Sequence, residues 1–301
     1  MKKSLLFPLV VTLLSAFSQA FAQTATPPGP PPPVLLIVRE DIKPGMMGVH
    51  NRHATEYADI FNKLQTPNHR IALVPVAGSE NEVIYITGAD NFAELEQIQK
   101  STDDKMAAAS GGSMKADMDR LDKEAPVLHA AMRDLLAVYR PDLSYNAGVN
   151  IATMRYFAVT TVRVRPGQED QYADYVNSLV RPARDKAKAE LHVAAFQIIA
   201  GSPFTTYMFF RPMKSLAEYD LRIGPRVREA MGDDQKKKAD KMAGETVLLS
   251  ETSVYAINPR MSYVPKEFGD GDPTFWNPKP EPPARPKPPA KKKPAPPPPT
   301  P

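Results

Sequence analysis

The sequence contains pairs of similar segments that lie at nearly the same separation. The sequence PDLSY at residues 141–145 is repeated as PRMSY at 259–263, and HRIALVPVAGS from His69 matches HVAAFQIIAGS from His192. The two pairs are separated by 118 and 123 residues. Matches that arise by chance would not keep nearly one offset along a chain. We therefore infer an internal duplication of a unit of about 110 residues.

Each copy predicts the same order of elements. A β-rich run leads into Pro-Gly, at 44–45 and at 166–167, and a helical stretch follows. Two short strand patterns, a second helical stretch and a last strand complete a β-α-β-β-α-β unit. This order is typical of the ferredoxin-like split βαβ arrangement, in which both helices cover one face of the sheet. The sheet of the other copy is a natural cover for the second face.

The PxxSY motifs are interpreted as structural. A proline ends strand pairing, so we expect each motif to terminate the last strand of its copy. The serine and tyrosine are expected to hold the exiting chain against the rim of the barrel.

The repeated order, with Pro-Gly after the first strand and Gly-Ser after the second, resembles the dimeric α/β-barrel superfamily. It is most similar to the branch that resembles the antibiotic-biosynthesis monooxygenases. The resemblance implies that the two sheets face each other as a barrel, here within one chain. We predict an α+β fold of two tandem ferredoxin-like units, at residues 34–146 and 154–264.

The resemblance also implies a possible activity. Monooxygenases of this branch act without metal or flavin on polyphenols, or degrade haem, and they use tryptophan, histidine, asparagine or tyrosine in a pocket. The single tryptophan, Trp276, falls in the proline-rich C-terminal region. We therefore expect no tryptophan in a pocket, which weakens the oxygenase interpretation.

The two ends of the chain differ from its body. Residues 1–22 have the basic start, apolar run and Ala-Phe-Ala ending of a secretory signal peptide, which predicts export to a periplasm or to the cell exterior. Proline-rich stretches at 23–33 and 273–301 predict a linker and a disordered tail. The chain has a net charge of +4, of which the tail contributes +5 and the signal peptide +2, which leaves about −3 for residues 24–272. No nucleic-acid partner is expected for the body, and no membrane span is expected after cleavage.

Three residues of the first copy are the catalytic candidates. His50, His53 and Tyr57 share one face of the helix after the first Pro-Gly. Histidines spaced in this way can transfer protons, although packing against the sheet explains the same pattern. Because the chain has no cysteine and no carboxylate–histidine repeat, no metal and no cofactor are predicted.

Four further residues are candidates for binding a ligand. His69 and His192 precede the second strand of each copy, and Tyr172 and Tyr175 stand where the first copy has His50 and His53. His129 is interpreted as isolated. The sequence thus favours an exported small-ligand-binding or interaction protein, monomeric or homodimeric, without an identifiable catalytic constellation. The ligand expected for it is small and aromatic or apolar. Two alternatives remain: a cofactor-independent monooxygenase for a small aromatic or haem-like substrate, and a protein whose Pro/Lys tail contacts an anionic envelope surface.

Overall fold

The structure is a computed structural model that describes residues 29–278. The predicted signal peptide and most of the two proline-rich stretches lie outside these residues and stay predictions. None of the helices between residues 29 and 278 is long and apolar enough to cross a membrane.

The first unit follows the predicted order. Its strands are β1 (Val34–Ile42), β2 (Ile71–Ala77), β3 (Glu82–Ala89) and β4 (His129–Tyr139). Its helices are α1 (Met47–Leu64), α2 (Phe92–Ala109) and α3 (Lys115–Leu128).

The second unit repeats these strands and divides the helical layer into shorter pieces. Its strands are β5 (Tyr156–Val164), β6 (Ala194–Ala200), β7 (Thr206–Met213) and β8 (Val247–Ile257). Its helices are α4 (Glu169–Tyr175), α5 (Arg181–Lys186), α6 (Ile223–Ala230) and α7 (Asp233–Thr246), and a π-helical turn (Val176–Val180) joins α4 to α5. Two short helices follow, α8 (Lys266–Gly269) and α9 (Pro273–Trp276).

The eight strands close into one barrel. Their order is β1-β3-β2-β8-β5-β7-β6-β4, and every neighbouring pair is antiparallel. Within each unit the order is that of a split βαβ sheet, and the units join where β2 meets β8 and β6 meets β4. The predicted dimeric α/β barrel formed within one chain is confirmed.

Strand alternation separates the barrel interior from the helical layer. On β1, Leu35 and Ile37 belong to the apolar cluster inside the barrel, whereas Val38 and Ile42 belong to a cluster beneath α1. On β5, Phe157 and Val159 lie in the interior cluster. This period of two is the one expected of strands with both faces covered. Each unit therefore has two apolar layers, one shared inside the barrel and one under its own helices.

The Pro-Gly pairs end the first strand of each unit. Gly45 and Gly167 both have a φ of +81°, a conformation that glycine adopts without the steric penalty of a side chain. The same turn therefore starts the first helix in both copies.

The prediction that Trp276 lies in a disordered tail is wrong. Trp276 is buried in helix α9 and packs at one end of the barrel, with its ring 5.1 Å from the ring of Phe268. Its Nε1 donates a hydrogen bond to the carbonyl of Ala152 at 2.8 Å. Aromatic burial thus extends the ordered body a few residues into the proline-rich region.

Candidate functional site

The helical layers of the two units differ, although their strands follow the same order. In the second unit a cavity of about 610 Å³ lies between the sheet and helices α4, α5 and α7. We call it the second-unit pocket. Its apolar walls come from strands and helices alike and include Ala158, Val162, Val176, Val193, Phe209 and Val247.

Two of the predicted ligand-binding residues line this pocket. Tyr172 and Tyr175 lie on consecutive turns of α4, with ring centroids 6.1 Å apart. Tyr172 is buried, and its ring lies 5.8 Å from that of Tyr207. Burial raises the pKa of both Tyr172 and Tyr175, so both phenols stay protonated at neutral pH. Each offers an aromatic face and a hydroxyl donor.

Arg184 is the pocket residue that sequence reasoning missed. Its partly buried guanidinium lines the second-unit pocket, 5.4 Å from the ring centroid of Tyr145. Among residues 29–278, no carboxylate lies within 4.0 Å of it. Burial lowers the pKa of Arg184, although an arginine remains charged at any ordinary pH. Within the described part of the chain, the positive charge of Arg184 therefore has no ion-pair partner.

A second guanidinium lines the same pocket. Arg211 Nη2 is 3.5 Å from Glu218 Oε2, and this buried nitrogen has no hydrogen-bond partner among the described residues. The Arg211 guanidinium also lies 5.4 Å from the Tyr219 ring. The ion pair of Arg211 with Glu218 is long and leaves Arg211 Nη2 without a hydrogen bond among the described residues. Both Arg184 and Arg211 can therefore donate hydrogen bonds to a ligand in the pocket.

The predicted catalytic residues lie in the first unit and are engaged with protein groups. His50 is 1% exposed, and its Nε2 is 2.7 Å from Glu40 Oε2. His53 Nε2 donates to the carbonyl of Leu121 at 2.9 Å. Tyr57 donates to Asp122 Oδ1 at 2.6 Å. Burial, reinforced by Asp122, raises the pKa of Tyr57.

The interpretation of His129 as isolated is wrong. It begins β4, where its Nε2 lies 3.3 Å from Glu40 Oε2 and its Nδ1 lies 2.8 Å from the carbonyl of Ala125. The ring centroids of His50 and His129 are 5.3 Å apart. One donor atom each from Glu40, His50 and His129 all lie within 4.8 Å of one another.

Electrostatics within this group favour a charged carboxylate. Burial alone would raise the pKa of Glu40, but the hydrogen bonds and charges of His129 and His50 together outweigh it and lower that pKa to about 2. In turn the hydrogen bond with Glu40 raises the pKa of His129 in spite of its burial. We call Glu40, His50 and His129 the first-unit cluster.

The other two predicted ligand-binding residues lie away from both sites. His69 and His192 occupy matched places, because Arg70 pairs with Tyr263 and Val193 pairs with Tyr145 in isolated bridges. The ring of His69 packs on Tyr263, with centroids 4.6 Å apart. His192 Nδ1 lies 2.6 Å from the carbonyl of Asn146. Neither histidine lines the second-unit pocket.

A comparison of the two copies could have revealed part of these sites. Glu40 occupies a helix-facing strand position whose equivalent, 122 residues on, is Val162. A carboxylate at a position where the other copy has valine indicates a polar group beneath the helices, and this difference was visible in the sequence. No such comparison indicates that Arg184 is partly buried, because its burial depends on how α6 and α7 pack against α5.

No family model and no curated protein matches the sequence. Among solved structures the chain is similar to an anthrone oxidase-like protein, with 11% identity, a TM-score of 0.47 and coverage of 77% of this chain and 94% of that one.

Two further solved structures are similar to a comparable extent. One is a proposed monooxygenase from Fusobacterium nucleatum, with 10% identity, a TM-score of 0.44 and coverage of 75% of this chain and 93% of that one. The other is chlorite dismutase from Candidatus Nitrospira defluvii, with 8% identity, a TM-score of 0.42 and coverage of 75% and 91%. Such similarities say nothing about the chemistry of this chain.

Proposed function

We propose that the protein binds a small organic anion in the second-unit pocket. In this proposal Arg184 binds the acidic group, and Tyr172 and Tyr175 pack against an aromatic or apolar body. The observation that carries it is the guanidinium of Arg184, which lines an apolar pocket without an acidic partner among residues 29–278.

The cost of leaving such a charge unpaired is the first support. A charged group withdrawn from water loses hydration that only a counter-charge or hydrogen bonds can replace. A guanidinium presents its donors in a planar fork that matches a carboxylate or phosphate. A ligand with one acidic group would therefore satisfy Arg184, and Arg211 offers further donors.

The size and lining of the pocket are the second support. Its volume of about 610 Å³ falls within the range of roughly 300–1,000 Å³ that is usual for small-molecule sites. Two tyrosine rings and several branched aliphatic side chains line the pocket, and they suit a flat apolar body. A few polar groups in a mostly apolar cavity are the usual composition of such sites.

Binding is favoured over catalysis by the location of the candidate residues. The oxygenase alternative depends on His50, His53 and Tyr57, which contact Glu40, Leu121 and Asp122 in the first unit. None of these three lines the second-unit pocket. No observation in the described residues favours turnover of the bound molecule.

The test compares a charged probe with its neutral analogue. Calorimetric titration of the purified full chain with 1-naphthoate should show saturable binding, and 1-naphthalenemethanol, of similar shape but uncharged, should bind much more weakly. Arg184→Met keeps the length of the side chain and removes its charge. Because a hydrogen bond to a charged group contributes about 1.5–3 kcal/mol, naphthoate should bind about 10- to 100-fold more weakly to this variant.

The matched control is Arg52→Met, which removes an exposed guanidinium from helix α1 of the first unit. It should bind naphthoate as the unchanged protein does. Equal affinity for the charged and neutral probes, or equal affinity in Arg184→Met and Arg52→Met, would contradict the proposal.

A further inference from the structure

The first-unit cluster assembles three potential metal ligands from three separate segments. Glu40 comes from β1, His50 from α1 and His129 from the start of β4. Glu40 and His50 are 9% and 1% exposed, and the side chain of His129 is also 9% exposed. Their donor atoms converge within 4.8 Å beneath the helical layer. Chain positions so far apart are brought together only by the fold.

The second unit shows that the barrel does not require this group. At the equivalent places it has Val162, Tyr172 and Val247, as the shared strand registers show: Ile42 pairs with His129, and Val164 pairs with Val247. These three residues line the second-unit pocket. A buried carboxylate with two imidazoles is costly to desolvate compared with apolar residues, so packing alone does not account for it.

The hydrogen bonds around His129 orient one nitrogen toward the carboxylate. Since a carbonyl only accepts, the Nδ1 that lies 2.8 Å from Ala125 must carry a proton. The other nitrogen, Nε2, faces Glu40 Oε2 at 3.3 Å and donates to this carboxylate when no metal is bound. Loss of that proton would free the Nε2 lone pair for a metal ion. A histidine that donates one N–H to a backbone carbonyl and presents its other nitrogen is the usual geometry of a metal ligand.

We propose that Glu40, His50 and His129 bind a divalent transition-metal ion of the zinc type. Two histidines and one glutamate form a recurrent three-ligand set for zinc, with the fourth position taken by water. The site is separate from the second-unit pocket, so this proposal does not depend on the proposed function.

Two of the three distances between donor atoms are close to those that zinc needs, and the third is at most 4.8 Å. Tetrahedral bonds of about 2.0–2.1 Å place neighbouring donor atoms roughly 3.3 Å apart. The separation of Glu40 Oε2 and His129 Nε2 is already 3.3 Å. The separation of Glu40 Oε2 and His50 Nε2 is 2.7 Å, and a small rotation of either side chain would open it. Imidazole and carboxylate donors without thiolate also suit Co²⁺, which gives a spectroscopic probe.

The experiment uses the full chain without a histidine tag, treated with EDTA and then freed of the chelator. Calorimetric titration with ZnCl₂ should show one Zn²⁺ bound per chain. Titration with CoCl₂ should produce the visible absorption of tetrahedral Co²⁺. His129→Val, which places the second unit's residue in the first, should weaken Zn²⁺ binding about 100-fold or more, since even outer partners of such ligands change affinity 10- to 100-fold.

Two further variants complete the test. Glu40→Gln removes the negative charge at nearly constant volume and should weaken Zn²⁺ binding as His129→Val does. His192→Gln removes one histidine from the second unit, where it contacts the Asn146 carbonyl, and should leave the stoichiometric site intact. Circular dichroism identifies a variant that fails to fold. The Co²⁺ spectrum of the unchanged protein does not depend on any variant.

Two results would overturn the proposal. One is the absence of tetrahedral Co²⁺ absorption together with less than one tightly bound Zn²⁺ per chain. The other is binding that His129→Val and Glu40→Gln weaken no more than His192→Gln does. Either result would make the first-unit cluster a buried ion-pair network and nothing more.

Discussion

Ser144 and Ser262 make the same pair of hydrogen bonds, and one bond of each pair crosses the boundary between the two units. Ser144 Oγ accepts from the backbone N–H of Ala195 at 2.9 Å and donates to the carbonyl of Arg140 at 2.7 Å. Ser262 Oγ accepts from the N–H of Ala72 at 2.8 Å and donates to the carbonyl of Asn258 at 2.7 Å. The serine of each PxxSY motif thus fixes the chain that leaves one unit to the second strand of the other. The structural interpretation of the two motifs is confirmed.

Removal of either hydroxyl should destabilise the barrel. Ser144→Ala leaves the N–H of Ala195 without its partner, and Ser262→Ala does the same to Ala72. An unsatisfied buried donor costs about 1–3 kcal/mol, so each substitution should lower the free energy of unfolding by that amount. Urea denaturation measures it. Ser110→Ala is the control, because its exposed hydroxyl donates to the carbonyl of Met106 and lies 3.9 Å from Met118 Sδ, so no backbone N–H loses a partner. A loss there as large as at Ser144 would contradict the assignment.

Gly201 should tolerate alanine far less well than Gly45. Both have positive φ, +85° and +81°, but a Cβ on Gly201 would lie 2.0 Å from the carbonyl oxygen of Asp134, whereas a Cβ on Gly45 meets nothing within 4 Å. The conformation alone costs about 1–2 kcal/mol, and the steric clash should bring the loss at Gly201 to about 3 kcal/mol or more. Urea denaturation of Gly201→Ala and Gly45→Ala compares the two. Equal losses would show that β4 and β6 do not approach each other this closely.

The architecture was predictable because a duplication repeats every signal. Each Pro-Gly, Gly-Ser and PxxSY motif occurs in both copies at nearly one offset, so a weak local pattern is tested twice. Closure of the barrel follows from the same fact, since two equal sheets with one uncovered face each can cover one another. The Gly-Ser pairs also have a physical reason, because Gly201 marks the close approach of β6 to β4.

The sites were less predictable because they depend on contacts between distant segments. His50 and His129 were each visible in the sequence, but their meeting at Glu40 requires the pairing of β1 with β4. Arg184 stands in RPARDKAK, a charged stretch that reads as a solvated helix face. The prolines around Trp276 predicted disorder. In the structure, Asp272 Oδ1 accepts a hydrogen bond from the Phe275 N–H and caps the short helix on which Trp276 is buried. In each case tertiary packing overrode local composition.

The pH dependence of stability should report the partial burial of His69. Its Nδ1 is buried without a hydrogen-bond partner among the described residues, and burial lowers the pKa of His69 from 6.5, partly offset by the charge of Glu267. The unfolded chain therefore binds a proton at this residue more readily than the folded chain does. Its contribution to stability is complete above pH 6.5 and is lost as the pH falls through the lowered, folded-state pKa. His69→Gln removes this contribution, so the unchanged protein should lose more stability than the variant between neutral and mildly acidic pH.

Urea denaturation at both pH values measures the difference, and NMR titration of the His69 ring protons measures the pKa directly. A midpoint at or above that of a free histidine, or an equal acid-induced loss in His69→Gln, would show that the ring is solvated.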